Sequence, residues 1–424
     1  MKLAAKMIIA FMCIAVQAYG KGRVDVICHY MTWFKYQTDE TGNLQVKHWK
    51  WQGKKTSHDP AKSINDKTRD IYSIFYPKIG VYDSSDPTVI DYHILTAKTA
   101  GISAFVIDWY NRGDNVDKSF EKVLRHCKEL NYKAAICYEE KNCFPDWNKI
   151  STRQEAVAKA VEDFKYIKDK YLNDPGYWKK NNKPVILVFS GWGEWENKGK
   201  KLFTDAEWKQ IIDESKINAY IVLQNFQKDY TTIKAGFAWC GDNAYTKWFY
   251  QVGDRLLQEK IFDFYIGSAC PGFDDRGTWG WDNNPRFEAY LGLENFNRYL
   301  RDFDSSDSDV LQVVTWNDFA EGTMIEPSAQ FGNMYVERLG EWNAQINKKI
   351  FQPGSTSLPY KWFFLAKKLG NNHMAVKQIK ELLIEGNYQQ VNKAIIENTA
   401  TSKISIPPYI DIKNEFKPYT NNYK

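Results

Sequence analysis

Apolar residues along the chain fall into short, nearly unbroken runs, set apart by longer stretches in which they recur every three or four positions. Eight runs stand out: VDVICHY (24–30), SAFVIDW (103–109), KAAICYE (133–139), PVILVFS (184–190), AYIVLQN (219–225), the weaker GFAWCG (236–241), IFDFYIGS (261–268) and VLQVVTW (310–316). Their length and their Val, Ile, Phe and Tyr content predict strands, and the lack of alternation predicts cover on both faces. Helical signals lie between them. Over 151–172 apolar residues recur at Val157, Val161, Phe164 and Ile167; Asp86 before Pro87 is an N-cap with proline in the first turn; Thr204 with Glu207 fits a capping box. Strands alternating with helices pair in parallel. Eight such units predict a (β/α)8 TIM barrel. An open doubly wound sheet is the alternative, but no GxGxxG follows the first strand and no GxxxxGKS/T occurs.

The same pattern divides the chain. Residues 21–350 hold the barrel, and 351–424, with YKWFFLAKKL and AVKQIKELLIEGNYQQVNKAIIEN, predict C-terminal helices and a tail packed on it. Residues 1–20 read as a signal peptide: Lys2 and Lys6, the apolar run MIIAFMCIAV, then Val16, Ala18 and Gly20. That run falls short of the roughly 20 residues that cross a bilayer, so a periplasmic or extracellular protein without a transmembrane segment is expected. Cys28, Cys127, Cys137, Cys143, Cys240 and Cys270 show no CxxC or Cys/His ligand spacing, which predicts buried free thiols; export would permit a bridge such as Cys137 to Cys143.

Composition mainly excludes. With 43% hydrophobic and 16% aromatic residues, 424 residues suffice for a large core. The 57 basic and 52 acidic residues form no basic block, so nucleic-acid binding is not expected. His29, His48, His58 and His93 form no HExxH or HxH pair, which predicts neither a metal site nor a cofactor.

In a TIM barrel the chemistry collects where strands end and βα loops begin. The strand exits here read HYMTWF, DWYNRG, YEEKN, SGWGEWE, PGFDDRGTWGWDNN and WNDFAEGTMIE, a convergence of acidic and aromatic residues. Sugar rings offer apolar faces that stack on aromatics and hydroxyls that match carboxylates, and two carboxyl groups are the usual equipment for breaking a glycosidic bond. Asp318 and Glu321 could supply that pair if the chain turns between them. Trp33, Trp109, Tyr110, Trp192 and Trp281 are candidates for stacking, Tyr30, Asp108, Glu139 and Asn317 for hydroxyl contacts, and Glu326 for positioning substrate or bracing the loop. The plainer reading is that such carboxylates cap helices and that most of sixteen tryptophans pack the core. The loop from 31 to 85 is long enough to cover the barrel mouth.

The segments HYMTWF, YPKIGVYDSSDPTVIDYHILTAKTAGISAFVIDWY, PGFDDRG and TWNDFAEGTMIEP resemble the glycoside hydrolase family 71 and 99 group, in particular family 99-like proteins of polysaccharide-degrading bacteria, over about 25–345. The resemblance implies an endo-acting, configuration-retaining α-mannosidase or α-mannanase on a (β/α)8 barrel. Carried over, Glu321 is the acid/base toward the leaving oxygen. Asp318 is the base that takes the proton of the sugar 2-hydroxyl, whose oxygen then attacks the anomeric carbon to give a 1,2-anhydro intermediate. Glu139 matches a further acidic position of the substrate pocket. The family carries glutamate where Asp318 stands and a larger polar residue where Ala320 stands. The acid role requires Glu321 to stay protonated near neutral pH, through a desolvated pocket or the charge of Asp318. The expectation is therefore an exported, monomeric hydrolase acting on an α-linked, mannan-like polysaccharide. A noncatalytic carbohydrate-binding protein on the same barrel is the alternative; a metal-dependent esterase acting on decorated polysaccharide is disfavoured by the missing histidine pairs.

Overall fold

Eight parallel strands close on themselves: β1 (Asp25–Tyr30), β2 (Ala104–Trp109), β3 (Lys133–Glu139), β4 (Lys183–Phe189), β5 (Tyr220–Gln224), β6 (Ala235–Phe237), β7 (Phe264–Ala269) and β8 (Val310–Val313). The computed structural model describes residues 21–143, 150, 152–190, 203–227 and 229–406. Neighbours pair in chain order, and the register Asp25↔Val310 between β1 and β8 seals the barrel. All eight apolar runs supply a strand, the weakest of them only three residues.

Helices α1 (Pro87–Thr99), α2 (Asn115–Glu129), α3 (Arg153–Lys170), α4 (Asp205–Ser215), α5 (Asn243–Gln258), α6 (Glu294–Asp304) and α7 (Met334–Ile346) follow the strands, except that no helix separates β5 from β6 among the described residues. Local chemistry sets their starts. Asp86 accepts from Thr88 N with Pro87 in the first turn of α1, and Thr152 with Glu155 and Thr204 with Glu207 close capping boxes on α3 and α4. Val157, Val161, Phe164 and Ile167 form the buried stripe of α3.

Three further helices, α8 (Leu358–Leu369), α9 (Met374–Glu385) and α10 (Tyr388–Thr401), lie outside the barrel. They explain why α1 is buried on nearly every side: Phe363 packs on Tyr92 at 5.3 Å, Asn371 Nδ2 donates to Thr88 Oγ1 at 2.9 Å, and Lys380 pairs with Asp91 at 3.2 Å. Trp362 Nε1, donating to Val376 O at 3.0 Å, ties α8 to α9.

The loop from β1 to α1 folds over the C-terminal mouth of the barrel. It contains two hairpins, Lys35–Thr38 with Leu44–Lys47 and Trp51–Gln52 with Ser57–His58. Trp49 anchors it: the ring is fully buried, stacks on Phe34 at 4.2 Å and meets Phe319 at 5.8 Å, while Nε1 donates to Tyr82 O. The second hairpin grips the loop after β7 through Thr56 Oγ1 to Gly277 O (2.8 Å) and Lys54 N to Asp282 Oδ1 (2.8 Å). No helix among the described residues is long and apolar enough to cross a membrane. The signal-peptide reading at 1–20 and the tail beyond 406 lie outside the described residues. The six described cysteines are buried free thiols, with Cys143 Sγ bonded to Tyr138 Oη at 2.8 Å.

Candidate active site

Beyond β8 the chain doubles back. Thr315 N donates to Thr323 O, Ile325 N to Thr315 O and Glu326 N to Trp316 O, so 315–316 and 323–326 run side by side and 317–322 form the turn between them. Asp318 organises that turn. Its N–H donates to Thr315 Oγ1 (2.8 Å), and its Oδ1 accepts from the N–H of Ala320 (3.0 Å) and of Glu321 (3.1 Å), which is the local bonding aspartate favours in turns. The loop after β7 holds the far side: Asp274 N donates to Glu321 O (2.7 Å) and Tyr290 Oη to Gly322 O (2.7 Å). Gly322 is left-handed at φ +66, and an added Cβ there would come within 2.5 Å of Tyr290 Oη. The turn that brings Asp318 and Glu321 together is thus fixed from both ends.

Burial pushes Glu321 well above the usual carboxylate range, and the charges of Asp318, Cys240 and Asp275 add to it against Arg286. Burial likewise raises Asp318 to about 6, with Asp108 adding and the Ala320 and Glu321 amides and His29 opposing. Glu139, closing β3 beside Lys141 at 3.0 Å, is raised to about 7 by burial and by Asp108. Asp108 accepts a 2.7 Å hydrogen bond from His29 Nε2. The donor atoms of His29, Asp108 and Cys137 lie within 4.8 Å of one another, close enough to ligate a cation, although here the imidazole and the carboxylate bond each other. Tyr110 feels Glu139, Asp108 and Asp318. Asp318, Glu321, Asp108, Glu139 and Tyr110 thus form one electrostatically linked group at the barrel mouth.

Four other candidates are placed differently, Tyr30 and Trp109 by strand parity. Side chains alternate between barrel interior and helical layer, so His29, Asp108 and Glu139 share one side and their neighbours take the other. Tyr30, fully buried, bonds His93 Nδ1 of α1 at 2.9 Å. Trp109, equally buried, donates from Nε1 to Asp117 of α2 at 2.8 Å and stacks on Tyr138. Asn317 spends its amide on Met31 N, Met31 O and Tyr82 Oη. Glu326, 2% exposed, accepts from Tyr82 Oη at 2.8 Å and faces His93 Nε2 at 3.3 Å. Tyr30, Trp109 and Asn317, expected as ligand contacts, spend their polar groups on protein partners, and Glu326 Oε2 is spent on Tyr82, so the structure places these four as packing and bracing residues.

Trp33 is half-buried and stacked on His48 at 5.0 Å. Trp281, 42% exposed, stands at the rim with its edge to Trp51 at 5.1 Å. Trp192 lies outside the described residues. Sequence reasoning missed His29, Tyr72, Asp275, Cys240 and Arg286 around the carboxylates; for His29 the signal was its place one residue before Tyr30. A mostly apolar cavity of about 320 Å³ lies behind 71–76, lined by His58, Ile71, Phe75, Arg276 and Trp279 among others. It contains neither carboxylate, and the chemistry argues for the pair rather than the void.

A carboxylate pair on a turn at the mouth of a TIM barrel invites comparison with known glycosidases. The sequence profile of Glycosyl hydrolase family 99 matches residues 24–337. The chain belongs to that family. A rat glycoprotein endo-alpha-1,2-mannosidase is 23% identical over 290 residues, covering 63% of this chain and 60% of its own length. The mouse protein of the same name is 22% identical over 313 residues, covering 66% and 65%. The chain thus spans somewhat less than two thirds of these relatives. The GH99 endo-alpha-mannosidase of Bacteroides thetaiotaomicron superposes with a TM-score of 0.59 at 18% identity, covering 76% of this chain and 97% of that one, a likeness of fold.

Proposed function

We propose that this family 99 member is an endo-acting glycoside hydrolase that cleaves an α-linked, mannan-like glycan with retention, using Glu321 as general acid/base and Asp318 as base. The observation that carries the reading is the turn in which Asp318 accepts from the N–H of Glu321. It holds two carboxyl groups in one partly buried site whose pKa values are pushed to different heights, the arrangement that assigns one as acid and the other as base. Glu321, raised furthest, gives its proton to the leaving oxygen. Asp318 takes the proton of the sugar 2-hydroxyl, whose oxygen attacks the anomeric carbon as the glycosidic C1–O bond breaks; in the second half Glu321 takes a proton from water, whose oxygen attacks C1 as the C1–O2 bond breaks and O2 regains its proton from Asp318. Asp108, Glu139 and Tyr110 supply hydroxyl contacts, and Trp33 and Trp281 stacking surfaces. The basic, apolar and small-residue pattern of 1–20 supports export.

The test is chromatographic product release from a panel of α-mannans and other α-linked glycans. Oligosaccharides from the unaltered protein, lost in Glu321→Gln and Asp318→Asn, are expected. A second reading, glycan binding without turnover, is favoured by one observation: Asp318 Oδ1 is already committed to two backbone amides on a side chain one methylene shorter than glutamate. Binding to one glycan with no product from any would select it.

A further inference from the structure

Buried polar atoms ordinarily find partners. The hydroxyl of Tyr72 does not: the residue is 2% exposed, and its oxygen has no partner within the protein. The backbone that carries it is nonetheless held firmly. Tyr72 N donates to Trp49 O at 3.1 Å, and its carbonyl lies so close to Gly277 that an added Cβ there would approach it to 2.0 Å. Its ring meets Trp281 at 6.2 Å. Trp49 in turn touches Phe319, the residue after Asp318. Tyr72 is therefore fixed where the loop after β1 meets the loop after β7, tied to the tryptophan that touches the turn carrying the carboxylates. Burial, then Asp318, then Glu321 push the phenol well above its ordinary value, so it remains a donor wherever those carboxylates work.

We propose that Tyr72 contacts substrate directly, its phenolic O–H donating to the sugar oxygen that Asp318 deprotonates. The assignment rests on the glycosidase reading above. In the first step the O–H bond of the 2-hydroxyl breaks and its proton passes to Asp318. The bond from O2 to C1 forms as the glycosidic C1–O bond breaks, its electron pair leaving with the oxygen that Glu321 protonates. Tyr72 keeps its proton throughout. Its hydrogen bond strengthens as O2 gains negative charge, so it favours the transition state over the bound ground state. A donor there suits a base with the shorter reach of aspartate.

Tyr72→Phe keeps the ring and removes only the unpartnered hydroxyl, so its melting temperature should not fall. With α-mannan as substrate, kcat is expected to drop about tenfold to a hundredfold while KM stays within about twofold, as for loss of one hydrogen bond to a charged oxygen. A rise in KM at unchanged kcat, or no change in either, overturns the assignment while leaving the glycosidase reading intact. If the unaltered protein releases nothing from any α-linked glycan, the glycosidase reading fails first and takes the assignment with it.

Discussion

Asp318 accepts a 3.1 Å hydrogen bond from the backbone N–H of Glu321, so one carboxylate builds the turn on which the other stands. The two residues are coupled twice, once through the backbone and once through charge. Removing the charge of Asp318 therefore changes the ionisation of Glu321.

Asp318→Asn retains an oxygen able to accept from the Ala320 and Glu321 amides, and therefore the turn, while removing the negative charge. Loss of that charge lowers the pKa of Glu321. Turnover should fall by at least about a hundredfold, the usual scale for removing a general base, and the alkaline limb of the residual rate should move to lower pH. Kinetics across pH, compared with circular dichroism of the variant, check both; an unmoved alkaline limb would sink the coupling.

The pH profile of the unaltered protein follows from the same groups. Asp318 must be ionised, so kcat/KM should rise through about pH 6. Glu321 must be protonated, so activity should fall again at higher pH. A flat profile between pH 5 and 8 on a well-hydrolysed glycan would contradict the assignment.

Stability should slope with pH as well. Glu139 has a folded pKa of about 7 against an unfolded value near that of a free carboxyl, so the folded state binds the extra proton between them. Stability is therefore highest on the acid side of that window and declines as pH rises through it, by about 1 to 3 kcal/mol for this one group. Denaturant midpoints measured from pH 4.5 to 8 should show the decline, and Glu139→Gln should make it shallower, leaving the share of the other raised carboxyls.

Glu326→Gln probes a residue that the sequence places in the catalytic motif and the fold places in the interior. Exchanging a carboxylate between Tyr82 and His93 for an amide should cost about 1 to 3 kcal/mol. The rate per folded molecule should stay within about threefold. A large fall in kcat with an unchanged urea midpoint would restore Glu326 to substrate binding.

Gly322→Ala tests the clamp on Glu321. A left-handed alanine costs about 1 to 2 kcal/mol, and the crowding by Tyr290 displaces the turn. A shift of about 1 Å in the acid can cost roughly a hundredfold in rate, so activity should fall far more than stability. Parallel assays of melting and turnover separate the two.

Much of the fold is legible in the sequence because buried parallel strands are long apolar runs and helix starts carry their own chemistry, as Asp86 with Pro87 and Thr204 with Glu207 show. The acidic pair is legible too, as two carboxylates in one strand exit. What the runs hide is parity. A strand covered on both faces shows no alternation, so VDVICHY does not say whether His29 or Tyr30 faces the barrel interior, and SAFVIDW leaves Asp108 and Trp109 equally open. Contacts to α1 and α2 decide it. Tyr72 was hidden for another reason: it lies in a loop distant in sequence from Asp318, and the docking of that loop through Trp49 and against Gly277 carries it toward the turn.

The cover that α8 lays over α1 has a consequence for the order of assembly. A ribosome releases α1 some 270 residues before the helix that shields its outer face, so during synthesis Tyr92 and its neighbours wait uncovered. Closure of the strands also spans nearly the whole chain, from Asp25 to Val310. These later helices therefore act as a lock on α1, and the nascent barrel depends on whatever keeps that apolar surface from other chains until they arrive.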